Sequence, residues 1–319
     1  MGKPKKHHYV PKAYLRFFAQ QNGDKYTLYV FDKVSNQEFI SNINDVAEIR
    51  NYNKVLSERF IVPPPNGDPL YYEYKYINLI EGEIPQIINN LIATCILSRA
   101  DKTVLTEESK RKLAKLLIIQ LLRTPQSRTH TFELGKPIVD TVMQKIQDQI
   151  IQISDTKRRA EFLRVLNEFN YTSQFSTSVH LQSTTDEEKI ADYAQRLVSH
   201  RSWAIWENRL YPFLPFVTSD HPVVMHNLQN HELGFGSNSI ENPATVISMP
   251  LTPKYMISLY HKNSLWGYYS QSYEDRCFPI SEVKYIHNQN LLQAWQCSRQ
   301  IYTTPIFSNS LIDFKKVVM

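Results

Sequence analysis

Apolar positions along the chain change period twice. Tyr26 to Phe31 (Tyr-Thr-Leu-Tyr-Val-Phe) alternates as a half-buried strand does, and Gln37 to Ile43 pairs back across a turn-like Asp32-Lys33-Val34-Ser35-Asn36, giving an antiparallel hairpin. Val62 to Pro69 carries too much proline for helix or strand and reads as a loop. From Tyr72 to about Leu97 the residues Ile77, Ile80, Ile84, Ile88 and Leu91 recur at helical spacing, with a kink expected at Pro85. Thr106 caps a second helix that runs through Leu113, Leu116, Leu117 and Leu121 until Pro125 stops it. Residues 137–168 and 186–200 continue the helical texture, and the polar Asn170 to Thr185 stretch reads as a connection. After His200 come short aromatic and β-branched runs, Ser202 to Glu207, Phe213 to Thr218, Val246 to Met249 and Met256 to Tyr260, which predict strands. A last helix is expected over Ser281 to Ser298, and a mobile loop over Gly234 to Asn238.

This order predicts an α+β fold, with antiparallel sheets and an N-terminal hairpin packed on a central helical bundle. No composition break separates the parts, so residues 1–319 are expected to form one interlocked unit. Its parts are an anchor and hairpin (1–60), a helical region (70–200) and a strand-rich region with the last helix (201–319). The plug Tyr14, Leu15, Phe17 and Phe18 should pack on the 77–97 helix or the C-terminal strands.

Composition narrows the class. The 319 residues are 42% hydrophobic, 12% aromatic and 21% charged, ordinary for a globular chain with a large core. Cys95, Cys277 and Cys297 are odd in number and lack metal-ligand spacing, which argues against a disulfide framework and a zinc module. With no signal-like segment and no long apolar run, a cytoplasmic protein with no membrane partner is expected. The net charge of +5 favours a polyanion without requiring one, and Lys3, Lys5, Lys6 and Lys12 read as a solvated basic tail.

Several polar residues interrupt these patterns. His7 and His8 precede a Pro11-initiated turn, where one could cap the helix and the other face water, or one could serve as general acid/base or phosphate donor. Glu81 falls within the apolar arc of its helix, so it should be mostly buried, either in a salt bridge or as a site carboxylate. Gln120 and Arg123 continue the stripe begun by Leu113 and Leu116, and Arg123 stands in the last turn, with Arg128 one loop on. Ser219, Asp220 and His221 sit in a turn between strands. Three adjacent residues cannot relay to one another, and no nucleophile elbow surrounds Ser219, so a serine hydrolase is not the reading; an Asx-turn is the plainer one.

The ordered pieces His8-Tyr9-Val10-Pro11 with Tyr14-Leu15 and Phe18, Asp32-Lys33, Asp45-Val46-Ala47 with Asn51-Tyr52, Ile80-Glu81, Gln120 with Arg123-Thr124-Pro125 and Arg128, Thr218-Ser219-Asp220 with Pro222-Val223, Pro250-Leu251-Thr252-Pro253, and Asn288 together resemble the DUF4238 family, an uncharacterised group. That pattern has an asparagine where His221 stands, which sets His221 aside. The resemblance implies which residues form a set and leaves the chemistry to be argued from the site. The set suits hydrolysis of a phosphate ester, as in a nuclease or phosphodiesterase, with His8, Glu81, Arg123 and Asp220 catalytic and His7, Gln120, Arg128 and Ser219 binding a nucleic acid or phosphorylated ligand. Two carboxylates and a histidine could also hold Mg²⁺ or Mn²⁺. The alternative is a non-enzymatic binding protein whose polar residues form a structural network. By association alone, such families belong to bacterial conflict systems.

Overall fold

Both ends of the chain enter the same sheet. The computed structural model describes residues 6–55, 61–98, 102–169, 171–230 and 238–305. The N-terminal part runs β1 (Lys6–His8), α1 (Lys12–Leu15), β2 (Gln20–Asn22), β3 (Lys25–Asp32), β4 (Gln37–Asn42) and β5 (Glu48–Arg50). The helical middle comprises α2 (Tyr71–Tyr76), α3 (Ile84–Leu97), α4 (Glu107–Leu122), α5 (Pro125–Ile151), α6 (Thr156–Glu168), α7 (Ser173–Thr184) and α8 (Glu187–His200). There follow β6 (Arg201–Asn208), β7 (Thr218–Ser219), β8 (Val224–Asn227), β9 (Thr245–Pro250), β10 (Tyr255–His261), α9 (Leu265–Ser270), β11 (Arg276–Ile280), α10 (Val283–Gln296) and β12 (Gln300–Thr303).

The fold is α+β, as the order of textures predicts. One sheet has the order β11-β6-β10-β9-β8, antiparallel except that β11 runs parallel to β6. In the other, the β3/β4 hairpin gains β12, which also pairs with β7, so Ile301 lies between Phe31 and Ser219. The short pair β1 and β5 sets His8 opposite Glu48. A shared core runs from Tyr9 and Val10 through α3, α4 and α8 to Tyr302. The plug packs as expected: Tyr14, Leu15 and Phe18 are fully buried, and the Tyr14 hydroxyl donates to the Pro250 carbonyl at 2.6 Å.

Four elements differ from the sequence expectation. The 72–97 helix is two helices. A π-helical turn over Ile77–Glu81 ends α2, and Pro85 lies in the first turn of α3, where its missing N–H has no helical partner to lose. Pro125 ends α4 and at once opens α5, with Thr124 as its cap; this single helix absorbs Pro137. The 137–168 stretch is accordingly split between α5 and α6. The Asn170 to Thr185 connection is largely α7, because its buried face (Ser176, Ser178, His180, Leu181, Thr184) is held by tertiary contacts that local propensity does not reveal. Only Thr218–Ser219 of the 213–218 run pairs as a strand. The mobile-loop expectation at 234–238 lies, apart from Asn238, outside the described residues, as do Lys3 and Lys5. The three cysteines are free and buried, and among the described residues no helix is long and apolar enough to cross a membrane.

Candidate anion-binding site

The end of α4 grips the N-terminal segment through its backbone. Gln120 Nε2 donates to the Tyr9 carbonyl at 3.1 Å, and Arg123 Nη2 donates to the His8 carbonyl. The same Nη2 meets Glu81 Oε1 at 3.0 Å, and the guanidinium lies over the Tyr76 ring, 5.0 Å from its centroid. Arg123 is 2% exposed, whereas the Glu81 side chain keeps 22% of its surface, so Glu81 is the solvent-facing member of the pair. The π turn places it there, since one wide turn rotates the chain away from the α2 phase before Gly82.

A second layer stands beside this one. Arg128 donates to the Tyr52 carbonyl (2.6 Å) and to Asn53 Oδ1 (2.8 Å), and its guanidinium is stacked on the Tyr52 ring at 3.4 Å. Asn53 passes the connection on: its backbone N–H donates to His7 Nδ1 at 2.8 Å, and its Nδ2 to Glu73 Oε2 at 2.7 Å. His7 and His8 therefore sit in β1 and cap nothing; α1 has no side-chain cap.

Several polar atoms of this cluster stay unpaired. Arg123 Nε and Nη1, Arg128 Nε, the Tyr52 hydroxyl, His7 Nε2 and His8 Nδ1 are all buried without a hydrogen-bond partner in the protein. With His7 Nδ1 accepting from Asn53, a neutral His7 carries its proton on Nε2. The unpaired group thus consists of donors, apart from His8 Nδ1, and two of its members are guanidiniums. Burial pushes the Tyr52 phenol up to about 12, with the charges of Arg128 and Arg123 opposing that, so both cations act on this hydroxyl. Burial, then Lys12 and Arg123, holds the His8 imidazole down to about 4, so it is neutral at pH 7. Unpaired buried donors are expensive, and together they suit an anion.

The profile of a family described as "Protein of unknown function (DUF4238)" matches residues 6–306. The chain belongs to the DUF4238 family. No curated protein and no solved structure matches it.

Within this DUF4238 chain the remaining expected site residues lie in a separate neighbourhood. Asp220 is fully buried; Oδ1 accepts from the Ser298 amide (2.8 Å) and Oδ2 from those of Arg299 (2.7 Å) and Gln300 (3.0 Å), clamping the turn between α10 and β12. Burial raises its pKa to about 6 against the pull of those three amides. Ser219 Oγ donates to Gln293 Oε1 at 2.7 Å and accepts the His221 amide at 3.2 Å. The expected Asx-turn is therefore not what holds this corner: Asp220 reaches across to the 298–300 amides, and the local turn bond comes from Ser219, so the groups of both residues are already committed. His221 Nδ1 lies 2.9 Å from Thr124 Oγ1, tying the corner to the start of α5. Glu81 and Asp220 do not join His8 as metal ligands: among the described residues the grouping with suitable spacing is His200, Glu241 and His261.

Sequence reasoning missed Asn53 and Glu73, and named Tyr52 within the family resemblance without giving it a role in the site. A signal existed for Glu73, since it precedes Tyr76 by three positions in a tyrosine-rich amphipathic turn, the spacing that singled out Gln120 and Arg123. The cavity of about 440 Å³ between α5 and α6 is lined almost wholly by apolar side chains such as Met143, Ile146, Phe162 and Leu166, and offers no acid–base group.

Proposed function

We propose that the His8–Glu81–Arg123 cluster, backed by Arg128 and Tyr52, binds a phosphate-bearing ligand and hydrolyses a phosphate ester, in the manner of a nuclease or phosphodiesterase. The observation that carries this reading is the set of unpaired buried donors on Arg123, Arg128 and Tyr52 beside a neutral imidazole. In the reaction the guanidiniums stabilise charge on the phosphoryl oxygens. His8 takes a proton from the attacking water as its oxygen bonds to phosphorus and the leaving oxygen departs. Neutralising the Arg123 charge that helps depress His8 would move the imidazole upward, so the base strengthens when the anion is in place. Glu81 orients Arg123. Asp220 and Ser219 are left out of this site, because their polar atoms are spent on the chain's own backbone and on α10.

The test is turnover of phosphodiester and nucleic-acid substrates, with and without Mg²⁺ or Mn²⁺, by the parent and by His8→Ala and Arg128→Gln. Activity in the parent with large losses in both variants supports the proposal; activity unchanged in both refutes it. A second reading is that the chain is a non-enzymatic binding protein. What favours it is that Gln120 and Arg123 spend donors on the Tyr9 and His8 carbonyls, as a structural network does. Phosphate binding with no turnover on any substrate would select it.

A further inference from the structure

Far along the chain from the anion cluster, three ligand-type side chains converge from three elements. His200 ends α8, His261 ends β10, and Glu241 stands between β8 and β9. The backbone that carries them is fixed. Arg201 and His261 are paired across β6 and β10, and the Lys262 amide donates to the His200 carbonyl at 2.9 Å. The buried Arg201 guanidinium fastens the segment bearing Glu241 by donating to the carbonyls of Ile240 (2.6 Å), Asn242 (3.3 Å) and Thr245. One ligand atom from each of the three residues lies within 4.8 Å of the others, and His200 Nδ1 is 3.0 Å from Glu241 Oε2.

We propose that His200, Glu241 and His261 bind a divalent transition-metal ion of the zinc class. Two imidazoles and one carboxylate are the donor set such ions take, whereas Mg²⁺ and Ca²⁺ prefer oxygen throughout. At metal bonds of about 2.0–2.1 Å, tetrahedral ligand atoms lie roughly 3.3–3.5 Å apart. The observed spacing therefore closes by side-chain rotation over about an ångström, with the backbone left in place. Glu241 Oε1 is buried with no hydrogen-bond partner, so the carboxylate has an oxygen to give, and the Arg196 Nη1 at 3.6 Å is the cation an ion must displace in charge. His261 Nδ1 accepts the Asn263 amide at 3.1 Å, which leaves Nε2 as the nitrogen open to an ion. Coordination there moves the imidazole proton to Nδ1, so the Asn263 amide must release it. The exposed His200, at 49%, and Glu241, at 40%, form the entry side and leave a fourth position to water.

Chelator-stripped protein titrated with Zn²⁺, and with Co²⁺ followed by visible absorption, tests the site. One ion per chain is expected, bound at least tenfold more weakly by His200→Ala and by Glu241→Gln, and unchanged in His8→Ala. In the parent and in His8→Ala, Zn²⁺ should shift the Asn263 amide resonance. His261→Ala is the less useful variant because that residue is buried, whereas the His200 side chain is 49% exposed. Absence of binding, or binding that His200→Ala and Glu241→Gln both leave intact, overturns the proposal, as does binding that disappears with His8→Ala instead.

Discussion

Replacing Arg123 with methionine separates an anion receptor from a structural strut. The variant keeps an unbranched side chain over the Tyr76 ring and loses two hydrogen bonds, to the His8 carbonyl and to Glu81. Charge-assisted bonds contribute about 1.5–3 kcal/mol each, the Glu81 bond at the low end because that carboxylate is 22% exposed and its ion pair is screened. Against this, the parent holds Arg123 Nε and Nη1 buried and unpaired, and each such donor costs about 1–3 kcal/mol of lost solvation that the variant recovers. The two sides nearly cancel, so Arg123→Met should change the unfolding free energy by less than about 2 kcal/mol in anion-free buffer. Phosphate should stabilise the parent, by about 2.7 kcal/mol at a hundred times its dissociation constant, and should not stabilise the variant. Urea denaturation with and without phosphate measures both. A variant that loses more than about 4 kcal/mol without anion, from a parent indifferent to phosphate, would show that the guanidinium is a strut and would end the receptor argument.

Stability should fall on acidification. His8, His221 and His180 are held down to about 4, about 4 and about 3 by burial, so the unfolded chain protonates them first and their stabilisation, complete above pH 6.5, is lost as pH drops toward those values. Asp220, raised to about 6, works the other way, which leaves a net uptake of about two protons near pH 5 and a slope of about 2.7 kcal/mol per pH unit; a flat urea midpoint between pH 6.5 and 4.5 contradicts this. Asn290→Asp keeps the acceptor for the Val217 amide but turns a carboxylate oxygen on the Pro215 carbonyl, and should destabilise by about 2–4 kcal/mol at pH 7, measured by calorimetry. If residues 1–319 form one cooperative unit, cleavage near residue 170 should leave no fragment with its own melting transition, and a soluble fragment that melts sharply would show otherwise.

The hairpin and strands β6, β9 and β10 were legible because period-two alternation and burial on one face are the same fact, while β8, β11 and β12 went unread. Apart from α7, helix existence was legible, and helix joints were not: a π turn at 77–81 and a proline that starts a helix both look like interruptions of a longer one. Glu81, Gln120 and Arg123 could be picked out from stripe positions, since polar residues on an apolar face must meet something buried, whereas His8 joined them only through the family resemblance. Asp220 and Ser219 satisfy the same rule in another way. Their partners are backbone amides at 298–300 and the Gln293 side chain, and residue type alone does not say whether a buried carboxylate faces a ligand or the chain itself. The clue lay in α10, where Asn290, Gln293 and Gln296 recur every third residue. Their amides bond the 215–225 segment in order: Asn290 to Pro215 and Val217, Gln293 to Pro222, and Gln296 to both polar groups of Met225.

The two neighbourhoods are joined by short links. Thr124, next to Arg123, reaches His221; one residue back, Asp220 holds the turn that feeds β12 into the sheet beside β3. At the other end, the carbonyls of His8 and Tyr9 are tied to α4 by Arg123 and Gln120. An anion drawn to Arg123 therefore acts on a residue that already fixes the entry of the chain, and its charge is felt at His8 through the same guanidinium that depresses it. Binding at this cluster should then stiffen β1 and its partner β5 more than any other strand pair, because β1 alone hangs from the residue the anion engages. Hydrogen exchange at His8, Tyr9 and Arg50, compared with and without phosphate, distinguishes this from a uniform ligand effect: protection spread evenly over β6, β9 and β10 would mean that the anion binds elsewhere.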